Sequence, residues 1–204
     1  MEGLDYLIFK GIFPAFNFYA LPRIPHQIVV SVSKLGLALV IAGVFSYIRK
    51  RSFRDLGITR QNLGKAALLG LILMSIFVVI MIGAGAPGAE LPRYRFPEVT
   101  LSNSLPILLI WLIDPGIVEE LVCRGLIQSK LERCMDYRLA ILVSAAFFSL
   151  GHMWPSPLSH WLLYPITLYF GIILGYVYHK TQNLIATMLL HGLSLGIATI
   201  ILFM

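Results

Sequence analysis

The chain has 204 residues, 58% of them hydrophobic and 13% charged, with a mean hydropathy of +0.82 and a formal net charge of +6. A soluble domain carries about half its residues apolar and about a quarter charged, so this composition excludes an ordinary soluble enzyme and points to an integral membrane protein. The apolar runs are long and do not alternate, which selects helices over a barrel. The expected fold is all-α: one polytopic membrane domain over 1–204, with about six transmembrane helices and an N-terminal interfacial helix. The excess Lys and Arg is read as cytoplasmic loops facing anionic lipid. It is not read as a nucleic-acid footprint, because no aromatic-interleaved basic patch accompanies it.

Residues 1–26 are apolar and aromatic but broken by Lys10, Pro14 and Pro22, which suits an interfacial helix. They do not read as a cleaved signal peptide, since Glu2 and Asp5 stand where Lys or Arg belongs. Gln27 to Ile48 is the first span, and Lys34 inside it needs a partner or a snorkelling route. Arg49, Lys50, Arg51 and Arg54 follow and mark the cytoplasmic side. A second span runs from Ala66 to Ala86, and the loop 89–103 is then outside.

The third apolar run begins near Leu105, and Asp114-Pro115-Gly116 interrupts it. Proline removes a helix donor and disfavours helix in the residue before it. A break is therefore expected there, with a new helix from Gly116 to Cys134, Asp114 as its N-cap and Pro115 in its first turn. Leu139 to Met153, Trp161 to Tyr178 and Leu184 to Phe203 complete the spans. Pro155 and Pro157 form an outer turn, and Thr181 or Asn183 caps the last helix. Cys123 and Cys134 fall on one helix about 16 Å apart along its axis, too far to bridge. Cys123 reads as a small buried apolar residue and not as a nucleophile.

Three spans carry polar residues where lipid demands apolar ones: Glu119, Glu120 and Arg124 on one, His152 on the next and His191 on the last. Charges at membrane depth cost several kcal/mol unless paired or facing a wet cavity, so they read as functional. Helical spacing sets Glu120 and Arg124 one turn apart, within pairing reach. Glu119 is rotated by about 100° from Glu120, so one carboxylate looks held and the other free. Glu119 and His152 each lie about 21 Å from the basic cytoplasmic end of their helix, which puts them at one level. His191 lies about 12 Å in from Asn183, and tilt closes the gap. A carboxylate flanked by histidines suits general-base activation of water, with imidazoles positioning water or developing charge. The same Glu119, Glu120, His152 and His191 also suit a catalytic zinc site. His26, His160 and His179 fall in loops or at span ends.

These residues resemble a known family. Glu119-Glu120-x-x-x-Arg124 is similar to the EExxxR motif of the CAAX prenyl-protease and bacteriocin-processing (CPBP, or ABI) intramembrane proteases. Phe148-Ser149-Leu150-Gly151-His152 is similar to its FxxxH motif, and Leu184 to His191 resembles its last span. Order and spacing match across about 105–204, the expected protease core. The third motif departs: Leu195 stands where the family has Asn or Asp four residues after the histidine, and Ser194 is the nearest substitute donor.

The resemblance implies a membrane peptidase with Glu119 as the base, Glu120 and Arg124 holding its geometry, and His152 and His191 as polar contacts. It implies a membrane-anchored or lipidated protein substrate and a prokaryotic cytoplasmic membrane. Metal-free glutamate chemistry is expected, with no cofactor required, and zinc is the alternative. With the Arg49–Arg54 cluster inside, Glu119 and His152 lie toward the outer face, which favours an exported protein's C-terminal anchor as substrate. The competing class is a non-catalytic scaffold or immunity protein on the same fold.

Overall fold

The computed structural model describes residues 23–50, 52–83, 99–152 and 163–204. Residues 1–22, 84–98 and 153–162 lie outside these, and with them most of the interfacial helix expected over 1–26, most of the outer loop expected over 89–103, and the turn expected at Pro155 and Pro157. The chain is all-helical, with no strand among the described residues.

Helix α1 spans Arg23–Arg49, and a single 3-10 turn follows at Phe53–Leu56. Helix α2 spans Leu63–Gly83. The next rod is built from α3 (Leu101–Trp111), two π-helical segments, π1 (Leu112–Glu119) and π2 (Leu121–Gln128), and a last turn, α4 (Ser129–Leu131). Helices α5 (Tyr137–Gly151), α6 (Leu163–Thr181) and α7 (Leu184–Phe203) complete the bundle. Asp136 caps α5 by accepting from the Arg138 N–H. Asn183, not Thr181, caps α7 by accepting from the Ala186 N–H.

Among the described residues, Ile24–Ile48 and Leu184–Ile201 are long and apolar enough to cross a membrane, while Leu63–Ile76 and Tyr137–Gly151 are apolar but shorter. The burial pattern is inverted relative to a soluble protein. Val40 is 62% exposed and Ile201 73%, whereas Glu120 and Arg124 are at 0%. An apolar exterior around a charged interior is stable only where hydrocarbon is the solvent.

The expected break at Asp114-Pro115-Gly116 is not found: the helix continues through it as π1. The widened i→i+5 turn relaxes the clash of the proline ring with the preceding carbonyls, so Pro115 bends the hydrogen-bonding pattern without ending it. Asp114 is accordingly not an N-cap. It is buried and pairs with Lys34 Nζ at 3.4 Å, which supplies the partner that Lys34 needs inside α1.

Small residues set the close packing. A Cβ at Gly192 would meet Leu112 Cα at 2.6 Å and the Trp111 oxygen at 3.0 Å, and one at Gly116 would meet the Met188 oxygen at 2.8 Å. The π1 and α7 backbones therefore touch. With Gly196 facing Leu108, α7 runs antiparallel to α3 and π1. Gly171 against Ala145 and Gly175 against Ile141 set α6 antiparallel to α5 in the same way.

Candidate active site

The centre of the bundle is a charged knot. Arg124 Nη1 donates to Glu120 Oε1 at 2.8 Å, as their spacing on the helix predicts, and Nη2 donates to the Gly171 carbonyl on α6 at 2.8 Å. His191 Nδ1 lies 3.0 Å from the same Glu120 oxygen. All three side chains are buried. A carboxylate oxygen only accepts, so His191 carries its proton on Nδ1 and turns Nε2 the other way. Glu120 and Arg124 together tie π2 to α7, through His191, and to α6, through the Gly171 carbonyl. Gln128, one turn beyond Arg124, repeats the motif by donating to the Gly175 carbonyl at 2.8 Å.

An aromatic wall surrounds the knot. The Phe148 ring has the Arg124 guanidinium 4.8 Å from its centroid and the His152 ring at 4.8 Å, and His191 stands edge-on at 5.6 Å. Phe170 meets His191 at 4.9 Å. Phe148 therefore touches a charged or polar member of each of the three motifs. Stacking over the guanidinium contributes about 2 kcal/mol where water is excluded. His152 ends α5, and its Nδ1 lies 2.8 Å from the Phe148 carbonyl. That carbonyl only accepts, so the neutral His152 ring presents Nε2 with its lone pair.

Glu119 stands at the C-terminal end of π1, beside the knot but outside it. It is only partly buried, and its Oε2 has no hydrogen-bond partner among the described residues. The two adjacent carboxylates thus separate as their helical phase predicts: Glu120 is clamped and Glu119 is available. The structure brings Glu120, Arg124 and His191 into direct contact and links His152 to them through the Phe148 ring. No hydrogen bond joins Glu119 to either histidine among the described residues.

Leu195 packs with Val99, Ile107, Ile110 and Trp111 in an apolar cluster, and the Ser194 hydroxyl donates to the His191 carbonyl of its own helix at 3.0 Å. Neither supplies a polar group to the knot. The four residues of the zinc alternative do not gather as a ligand set. Glu120 Oε1 already accepts from Arg124 and His191, and no group of three His, Cys, Asp or Glu is arranged to hold a metal among the described residues.

Phe170 and Gly171 complete the site beyond the residues picked from the sequence, and Phe148, quoted there only as part of the second motif, forms the wall between them. The available signal was the four-residue spacing of Gly171 and Gly175, repeated by Gly192 and Gly196, which marks close helix approach in apolar spans.

The family model described as type II CAAX prenyl endopeptidase Rce1-like matches residues 101–195. The match spans just under half of the chain and supports a likeness of that segment to the CAAX-protease (CPBP) family. The match covers α3 through most of α7 and holds every residue of the knot and its aromatic wall. This Rce1-like family is a membrane-embedded protease family. No curated protein and no solved structure matches the chain.

Proposed function

We propose that the chain is an intramembrane endopeptidase that hydrolyses a peptide bond near the C-terminal end of a membrane-anchored or lipidated protein. It crosses a prokaryotic cytoplasmic membrane six times, through α1, α2, the α3–π2 rod, α5, α6 and α7. The observation that carries this reading is the contrast between two neighbours: Glu120, fully buried and held through Oε1 by Arg124 and His191, and Glu119, partly buried and bonded to none of these groups.

In this mechanism Glu119 takes a proton from water, and the resulting hydroxide attacks the scissile carbonyl. His152 Nε2 accepts a hydrogen bond from that water and orients it for attack. His191 keeps Nδ1 on Glu120 and offers Nε2 to the substrate. Glu119 then returns its proton to the leaving amine. Arg124 and Glu120 act by holding the histidine and the helix in place.

The test is cleavage, in membranes, of two reporters: one ending in a prenylated cysteine motif and one ending in a C-terminal membrane anchor. Glu119→Gln should reduce turnover by about a hundredfold or more, the usual contribution of a general base, with accumulation unchanged because Glu119 makes no structural bond. Persistent cleavage would refute the assignment of the base. We also propose a metal-free reaction, supported by Glu120 Oε1 already accepting from both Arg124 and His191. Incubation with a zinc chelator should leave turnover unchanged, and loss restored by added zinc would reverse this choice.

A second reading, a non-catalytic scaffold, is favoured by Leu195 and by Ser194 bonding its own helix. Cleavage of neither reporter by the wild-type chain, with phenotype retained in Glu119→Gln, would establish it.

A further inference from the structure

The segment joining α1 to α2 is held down from one side. The Tyr178 hydroxyl donates to the Leu56 carbonyl at 3.2 Å, and the Leu184 N–H donates to the Gly57 carbonyl at 2.8 Å. The Asn183 amide donates to the carbonyls of Thr59 at 2.8 Å and Gln61 at 2.6 Å. Gly57 adopts φ +88°, and a Cβ there would sit 2.8 Å from the Tyr178 ring, so no other residue seats the loop so closely. The fold thereby turns four backbone acceptors inward, onto the α6–α7 turn.

What remains on the outer side is donor-rich. A cavity of about 550 Å³ is lined by Arg54, Ile58, Thr59, Arg60, Gln61 and Ile185. Arg54 and Arg60 are exposed, and the nearby Asp55 carboxylate is taken by the Ser52 N–H at 2.8 Å. Thr59 Oγ1 accepts from the Gln61 N–H at 3.1 Å, which leaves its hydroxyl proton to donate. Two guanidinium groups and a hydroxyl, with inward-facing carbonyls, select an anion rich in acceptor oxygens. Ile58 and Ile185 give the same cavity an apolar side.

Its depth is fixed by the two longest apolar helices. Ile24–Ile48 ends just before this loop, and Leu184–Ile201 begins beside it. The cavity therefore lies at the membrane–water boundary, on the side that the basic cluster marks as cytoplasmic, where anionic lipid is enriched.

We propose that this cavity is a binding site for the headgroup of an anionic phospholipid, with Arg54 and Arg60 on the phosphate and Ile58 and Ile185 against the start of the acyl chains. The site is separate from the charged knot and does not depend on peptidase activity. Because Asn183 both caps α7 and holds the loop, an occupied site braces the first turn of the helix that carries His191.

The test is native mass spectrometry of the full chain released from vesicles of phosphatidylglycerol and phosphatidylcholine in equal amounts. The wild type should retain phosphatidylglycerol preferentially. Arg54→Gln/Arg60→Gln should weaken that retention by about thirtyfold, the factor for two interfacial arginines. Lys130→Gln/Arg133→Gln, with the same loss of charge elsewhere, should leave it within about threefold. Equal retention of both lipids, or equal loss in both double variants, overturns the site. Displacement of the lipid by millimolar inorganic phosphate overturns the lipid assignment in favour of a free anion. Hydrogen exchange on the wild type needs no variant: phosphatidylglycerol should slow exchange across 52–62, and unchanged exchange refutes the proposal.

Discussion

Replacing Arg124 with alanine should destabilise the protein by about 3–5 kcal/mol, the cost of stripping one partner from a buried ion pair. Glu120 is fully buried, and His191 alone would be left to answer its charge. The Gly171 carbonyl would also lose its donor. Arg124→Lys should not rescue, because a single ammonium cannot reach Glu120 and Gly171 at once as the guanidinium fork does. Removing both charges behaves differently. Glu120→Gln/Arg124→Met leaves no buried ion, and such paired neutral replacements are often tolerated. The double variant should therefore accumulate better than Arg124→Ala while failing to cleave, since His191 no longer has a carboxylate to hold it. Accumulation in membranes and denaturant unfolding in detergent provide the readouts. An Arg124→Ala protein as stable as the wild type would show that the knot holds nothing together.

Gly192→Ala should cost about 2 kcal/mol and abolish cleavage. An added methyl would lie 2.6 Å from Leu112 Cα and 3.0 Å from the Trp111 oxygen. Both are backbone atoms on the facing rod, so no side chain can swing aside and α7 must retreat from π1. Overpacking of this kind costs about 1–3 kcal/mol. That outweighs the gain of up to about 1 kcal/mol from alanine in a helix. The retreat carries the adjacent His191 away from Glu120. Gly151→Ala is the matched control: it neighbours His152, yet its methyl would meet nothing within 4 Å among the described residues. Unfolding and cleavage measured on both variants decide the matter, and equal behaviour would show that the α7–π1 contact does not position the histidine.

Local regularities were readable in the residues, and long-range ones were not. Leu184–Phe203 appears with both ends where expected and with Asn183, one of the two expected caps, because an uninterrupted apolar run after a polar turn has few alternatives. The Glu120–Arg124 pair follows from helical spacing alone. The bond between His191 and Glu120 links positions 71 apart, and no periodicity carries that information. The need of Lys34 for a partner was visible, but not that Asp114 supplies it. The break at Pro115 was misread because the proline rule describes an isolated helix. Here Gly116 packs on α7 and Asp114 is tied to α1, and these contacts hold the widened turn inside the helix. Leu195 was rightly seen as unable to form a hydrogen bond, and its apolar neighbours become evident only in three dimensions.

The π segments have a consequence for the aim of this rod. Each i→i+5 ring holds one residue more than an α turn, so the stretch 112–128 stores surplus length inside an unbroken helix. A single-residue deletion here would let the backbone relax to ordinary α geometry, and the rod would still span. What it would lose is aim, because Glu119, Glu120 and Arg124 would swing out of phase with Gly171 and His191. The surplus length of the rod thus sets the direction in which its three charged side chains point.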